Sequence, residues 1–339
     1  MITDTPLLSH AHRSPDLAPD TTDDSPTHTV IGVDFGGTKT ELALADPHGA
    51  ILVRKRLATM AERGPDQAIA RAAKAVRQLA AESETRFDAP VAAHAAVAPG
   101  IIQPERILLT PNLPGWEGLA LSARLADEFG VPTVPVANDV RAGALAELRL
   151  GELRGAEPGL YVNLGTGLAA ALTVGGNVVY GANQAAGEIA YANPGNAPLD
   201  AVSAGRAPLE EILGGKNLTD RARALLGESA TGGDLFRSTD PAAQELAGQT
   251  LTALATALAN MAVLVDPSRI VLGGGLMSVA DLILPQLERL LAAALPFPTE
   301  LRVARFRQDA SLYGAIVLAM DSRPAPVIGP DFDYDLGEH

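Results

Sequence analysis

The chain contains no cysteine among its 339 residues. Disulfides and thiolate metal sites are therefore excluded, and the redox compartment leaves no mark on the sequence. Basic residues are scarce, 26 Lys and Arg against 40 Asp and Glu, for a net charge of −14. A surface of that sign repels polyanions and argues against non-specific nucleic-acid or anionic-membrane binding. No apolar run is read as approaching the roughly 18 residues of a membrane span. The start shows neither the basic segment nor the apolar core of a secretory signal, so a cytoplasmic location is expected. With 47% hydrophobic and 19% charged residues, the composition is that of a globular protein, long enough for two domains.

Glycine is plentiful, and its placement is informative. Residues 31–40 read as an apolar strand ending at Asp34, a tight turn through Gly36 and Gly37, and a restart at Thr38-Lys39. Glycine there lets backbone N–H groups approach an anion, and a strand-end carboxylate can hold Mg²⁺ through water. An ordinary hairpin uses the same Gly-Gly turn. The pattern recurs half a chain later: strand Leu160–Leu164, then Gly165-Thr166-Gly167, then the apolar run Leu168–Val174 and a two-residue turn at Gly175-Gly176. Two such turns could grip a polyphosphate from both sides. A third cluster, Gly273-Gly274-Gly275, follows the strand-like Arg269–Leu272. Asn138-Asp139 opens the helical run Val140–Leu150, where the pair reads first as a helix N-cap, far commoner than a catalytic carboxylate.

Periodicity places three strands over Val30–Leu57, helices at Pro65–Glu82, Leu119–Phe129, Ala280–Ala294 and Ser311–Met320, and a strand at Val91–Ala98 ending in Pro99-Gly100. A long helix starts at Thr239-Asp240-Pro241, with Leu251, Leu254, Leu258, Met261 and Val265 as its buried stripe. Residues 1–28 carry four Pro and five Asp without hydrophobic periodicity and are expected to be a disordered tail, too short for a winged helix-turn-helix.

Together these segments resemble the ROK (repressor, open reading frame, kinase) family of sugar kinases. The matching pieces, in order, are Asp34-Phe-Gly-Gly-Thr-Lys39, Pro111-Asn-Leu-Pro-Gly-Trp116, Asn138-Asp139, Gly165-Thr-Gly167, Gly181 to Glu188, Gly273-Gly-Gly275 and Asp309 to Gly314. The resemblance implies an α/β protein: two RNase H-like domains of the sugar kinase/actin/heat-shock ATPase fold around a central cleft. The small domain would span 29–137, completed by a C-terminal helix at 309–322. The large domain would span 138–308, and 323–339 would be a tail. The implied activity is ATP-dependent phosphorylation of a hexose hydroxyl, glucokinase-like. The alternatives are a fructose, mannose or N-acetylhexosamine kinase, or a non-catalytic sugar sensor. A homodimer or homotetramer is implied by family habit.

The resemblance also assigns roles. Asp139 would be the base toward the acceptor hydroxyl. Asn138, Glu188, Glu210, Tyr191 and Gly100 would bind sugar, with Glu211 competing with Glu210. Asp34, Gly36, Gly37, Thr38, Lys39, Gly165, Thr166 and Gly167 would face the phosphates, with Mg²⁺ carried on ATP near Asp34. Lys39 reads equally as a surface lysine on a strand. Gly274 and Gly275 would flank adenosine, while Asn112 and Trp116 are expected to be structural. One departure stands out. The family's zinc-binding His and three Cys are missing: Tyr191 stands at the His position, and the stretch 192–206 has no thiol. No zinc is expected.

Overall fold

The structure, a computed structural model, describes residues 26–110 and 112–322. The tails expected at 1–28 and 323–339 lie outside the described residues, save 26–28, as does Pro111 of the Pro111–Trp116 motif. The first half contains β1 (Thr29–Phe35), β2 (Lys39–Ala45), β3 (Ile51–Ala58), α1 (Pro65–Phe87), β4 (Val91–Ala98), β5 (Ile101–Gln103), β6 (Arg106–Leu108), α2 (Leu121–Phe129) and β7 (Val136–Asn138). There follow α3 (Asp139–Leu150), β8 (Gly159–Leu164), β9 (Leu168–Val174), β10 (Asn177–Val178), α4 (Pro208–Leu213), α5 (Gly215–Leu226) and α6 (Asp234–Arg237). Then come α7 (Pro241–Val265), β11 (Arg269–Gly273), α8 (Ala280–Ala294), β12 (Glu300–Val303) and α9 (Ala310–Asp321).

The two five-stranded sheets repeat one topology. The first runs β3-β2-β1-β4-β7 and the second β10-β9-β8-β11-β12. In each, an antiparallel meander of three strands continues into two parallel ones. This RNase H-like order makes the two glycine turns equivalent: one joins β1 to β2, the other β8 to β9. Parallel pairing of β1 with β4 and of β8 with β11 requires crossovers, which helices supply.

Alternation along β1 builds two layers. Ile31, Val33 and Phe35 face one way, into a core with Ile69, Val76 and Leu79 of α1. Val30 faces the other way, onto Leu312, Tyr313 and Ile316 of α9. In the second sheet, Leu160, Val162 and Leu272 meet the Leu251-Leu254-Leu258 stripe of α7, while Tyr161 and Val271 meet α3. Met261 and Val265 at the end of that stripe are only partly buried. Helices α3 and α9 cross between the sheets. A Cβ at Gly314 would collide with the Ala142 carbonyl, so this crossing needs glycine.

One expectation is corrected. Helix α7 is long and apolar enough to cross a membrane by length and composition, with a window of mean hydropathy 1.4. Its run is apolar through Ala, Leu and Met interleaved with Thr, Gly and Asn, so no unbroken hydrophobic string marks it. Here it packs on the second sheet.

Candidate active site

Two cavities lie end to end at the strand termini. The larger, about 840 Å³, is lined by Lys39, Gly165, Thr166, Gly274 and Gly275 among others. The smaller, about 650 Å³, is lined by Asn138, Glu188, Tyr191, Glu210 and Gly100. Asp139, Val140, Asn163, Thr166 and Ser311 line both. Every residue expected to touch sugar thus reaches one cavity. The phosphate residues divide. Lys39, Gly165 and Thr166 reach the larger cavity; Asp34, Gly36, Gly37 and Gly167 line the smaller one; Thr38 lines neither and is exposed at the turn tip.

The helix start carries both readings of Asn138-Asp139. Asn138 Oδ1 accepts from the Arg141 N–H at 2.8 Å, a side-chain N-cap. Its amide also donates toward Glu188 Oε1 at 3.4 Å. Asp139, in the first turn, faces the junction of the cavities. Burial pushes its pKa up, opposed by the Val140 N–H. Asp34, at the end of β1, is pushed up to about 7 by burial and then by the charges of Asp139 and Glu41, with Lys39 and Arg54 opposing.

At the smaller cavity, Gly187 (φ 90°) turns the chain against β9, and its carbonyl accepts from Ala170 N at 2.8 Å. A Cβ there would strike the Ala170 carbonyl, so only glycine delivers Glu188 to this position. Glu188 is pushed up by burial, opposed by the Arg141 charge, and pushed further by Asp139 and Glu210. Burial also raises Tyr191, followed by the charges of Glu188 and Glu210. Glu210 accepts from Leu168 N at 2.8 Å. Glu211 instead pairs with exposed Arg206 at 2.6 Å and does not line the cavity, which separates the two neighbouring candidates. Asn112 lines the smaller cavity as well, whereas Trp116 is buried against Phe35, ring centroids 5.2 Å apart.

Lys39 is engaged: it pairs with buried Glu41, which also takes Arg54 at 2.8 Å and Arg56 at 3.0 Å. Burial pushes Glu41 up, but the hydrogen bonds from Lys39 and Arg54 outweigh it and hold the carboxyl below its usual range. Arg54 reaches on to Asp309 at 2.6 Å, tying β3 to the start of α9.

Sequence reasoning missed helix α5 altogether. Its first residues dock on the second glycine turn, with Gly215 N to Gly165 O at 2.9 Å and Lys216 N to Thr166 O at 3.0 Å. It also missed Arg141, Asn163 and Ser311. The alternation of β8 would have pointed Asn163 out of the apolar set. Ser311 lay inside the matched Asp309–Gly314 motif without a role assigned to it, and nothing local marked Arg141.

For Mg²⁺ the donors fit. The Asp34 carboxylate accepts no hydrogen bond among the described residues and sits close enough to Asp139 for their charges to raise its pKa. A hard cation carried on a nucleotide takes such carboxylates together with phosphate oxygens. Among the described residues no group of three His, Asp or Glu forms a further metal cluster.

The chain matches the ROK family over residues 30–322. It is 30% identical over 299 residues to a kanosamine kinase from Amycolatopsis mediterranei, covering 85% of this chain and 95% of that one. It is 28% identical over 311 residues to a glucokinase from Halalkalibacterium halodurans, covering 84% and 92%. Among solved structures, the fold superposes with TM-score 0.69 on a ROK family glucokinase from Streptomyces griseus crystallised with glucose and AMPPNP, at 26% identity and covering 86% and 99%. With its duplicated sheets, its glycine turns and a cleft divided at Asp139, this chain belongs to the ROK family of sugar kinases.

Proposed function

We propose that the chain transfers the terminal phosphoryl group of ATP to a hydroxyl of a glucose-like hexose, with Asp139 as the base. The observation that carries this is the junction. A terminal phosphate in the larger cavity and a hydroxyl in the smaller one would meet at Asp139, Asn163 and Thr166. Phosphoryl transfer is chiefly positioning and charge stabilisation, with a base to orient the nucleophile. Burial makes Asp139 a stronger proton acceptor, and its place in the first turn of α3 favours the ionised form at rest. Glu188 and Glu210 offer carboxylate acceptors to adjacent ring hydroxyls, Tyr191 a hydroxyl, and Asn138 an amide shared with Glu188. The glycine turn at 165–167 would offer backbone N–H groups on the phosphate side, and the first N–H groups of α5, bonded to the Gly165 and Thr166 carbonyls, hold that turn in place. Mg²⁺, when bound, would neutralise developing charge on the transferring group. Asp34 would hold it.

The division into 29–137 with a helix at 309–322, and 138–308, is proposed on the same footing. It follows sheet membership, with α9 returning onto the first sheet. We further propose a cytoplasmic homodimer or homotetramer whose partners are sugar and ATP. Its acidic surface favours no nucleic-acid or membrane partner. The test is ADP release with Mg-ATP over glucose, mannose, fructose and N-acetylhexosamines. Turnover of glucose supports the reading. Preference for another hexose reassigns the acceptor. Binding without turnover makes the chain a sensor.

A further inference from the structure

Arg141 lies two residues after the proposed base and is 2% exposed, one of the largest fully buried side chains in the molecule. A buried guanidinium is costly unless its donors are engaged. Its Nη2 donates to the carbonyls of Gln184 at 2.6 Å and Ala186 at 3.3 Å, and its plane lies over the Tyr180 ring, 5.2 Å from the centroid. Its Nε has no partner among the described residues. All three contacts fall in one segment, the loop from Tyr180 to Glu188.

That loop is strained; its own backbone bonds, Gln184 N to Gly181 O, Ala186 N to Tyr180 O and Glu188 N to Ala185 O, are local, and Gly187 O takes Ala170 N of β9, so Arg141 is its tie to α3. Gln184 has φ 57°, a left-handed conformation unfavourable to a side chain, and Gly181 and Gly187 are also at positive φ. The loop ends at Glu188, whose carboxylate meets Asn138, and Asn138 in turn caps the Arg141 N–H. Helix start, arginine and loop thus close a ring of contacts around the acceptor cavity, although Arg141 itself does not line it.

We propose that Arg141 is a positioning residue for acceptor binding: it fastens the 180–188 loop to α3 so that Glu188 is held facing the sugar hydroxyls. This deepens the kinase reading and rests on it. The arginine acts through loop geometry, because two carbonyls and a ring take a planar fork with a stacking face, which lysine lacks.

The experiment compares wild type, Arg141→Met, Arg141→Lys and Tyr180→Leu by steady-state kinetics, calorimetric sugar binding and hydrogen exchange. Tyr180 is 37% exposed, so its variant is the one least able to disturb folding. Losing hydrogen bonds from a charged donor predicts a sugar KM higher by about 10- to 100-fold in Arg141→Met, with a smaller rise in Arg141→Lys. Tyr180→Leu should raise it about 2- to 10-fold, the worth of a cation–π contact. The KM for Mg-ATP and kcat at saturating sugar should stay within about three-fold of wild type, and exchange should quicken within 180–188. A folded Arg141→Met with the wild-type sugar KM overturns the proposal. So does an equal loss in ATP binding and kcat, which would make the arginine merely structural. If Arg141→Met does not fold, an unchanged sugar KM in Tyr180→Leu together with unaltered exchange in Arg141→Lys overturns it. Wild type that phosphorylates no hexose instead fails the kinase reading, and is distinguishable because it appears before any substitution.

Discussion

At the scale of single residues, the proposed chemistry rests on one carboxylate at a helix start. Asn138 caps the Arg141 N–H, so Asp139, bonded to the N–H of neighbouring Val140, is left facing the cleft. Asp139→Asn is therefore expected to fold as wild type while kcat falls about 10²- to 10⁴-fold, the usual contribution of a positioned acid or base. Steady-state kinetics beside a thermal melt checks this; activity within a few-fold of wild type would remove the residue from the mechanism. Lys39, Gly165, Thr166, Glu188, Gly274 and Gly275 were legible because each stands in or beside a glycine turn, whereas Asn138, Asp139, Tyr191 and Glu210 came through the family resemblance. Arg141 was legible neither way, because its partners are backbone carbonyls about forty residues away, and carbonyls leave no trace in a sequence.

At the scale of elements, strong periodicity gave β4, β9 and α8 their observed bounds. Helix α1 runs five residues beyond its expected end at Glu82, to Phe87, because buried Ser83 bonds Thr29 and the Ala89 carbonyl and holds the last turn. What escaped notice was short or weakly patterned: the β5–β6 hairpin of three-residue strands, the four-residue β12, and α5, which opens on a glycine and carries few apolar residues. Their pairing, not their composition, makes them elements. On β4, His94 packs near Phe129, centroids 6.3 Å apart, and burial lowers its pKa from 6.5 to about 4. Between those values the unfolded chain binds a proton that the folded chain refuses. The stability owed to neutral His94 is thus intact above pH 6.5 and is lost as pH falls toward 4, by about 1–3 kcal/mol. Urea midpoints at about pH 7 and about pH 4.5 should differ less in His94→Gln than in wild type; an equal difference would exonerate the histidine.

At the scale of the whole molecule, two sheets of one topology meet across α3 and α9, and with no cysteine in the chain the stretch 192–206 is held by packing and hydrogen bonds. There, Asn193 accepts from Gly195 and Ala197 N–H groups, and Arg206 N reaches the Ala201 carbonyl. A chelator is accordingly expected to abolish turnover and leave the melting temperature unchanged, with Mg²⁺ alone restoring activity. A chelator-induced loss of several degrees would reveal a structural metal. The crossing of α3 and α9 has a mechanical consequence. Gly314 lies there directly against the carbonyl and Cβ of Ala142, with no longer side chain between to act as a spring. Should one sheet rock against the other, this point is expected to move least, as the fulcrum, and the loops at the cavity rims most. Gly314→Ala would insert a shim at the pivot. It should cost about 1–3 kcal/mol of stability by overpacking, and it should displace the rims further than it displaces the site of the substitution itself.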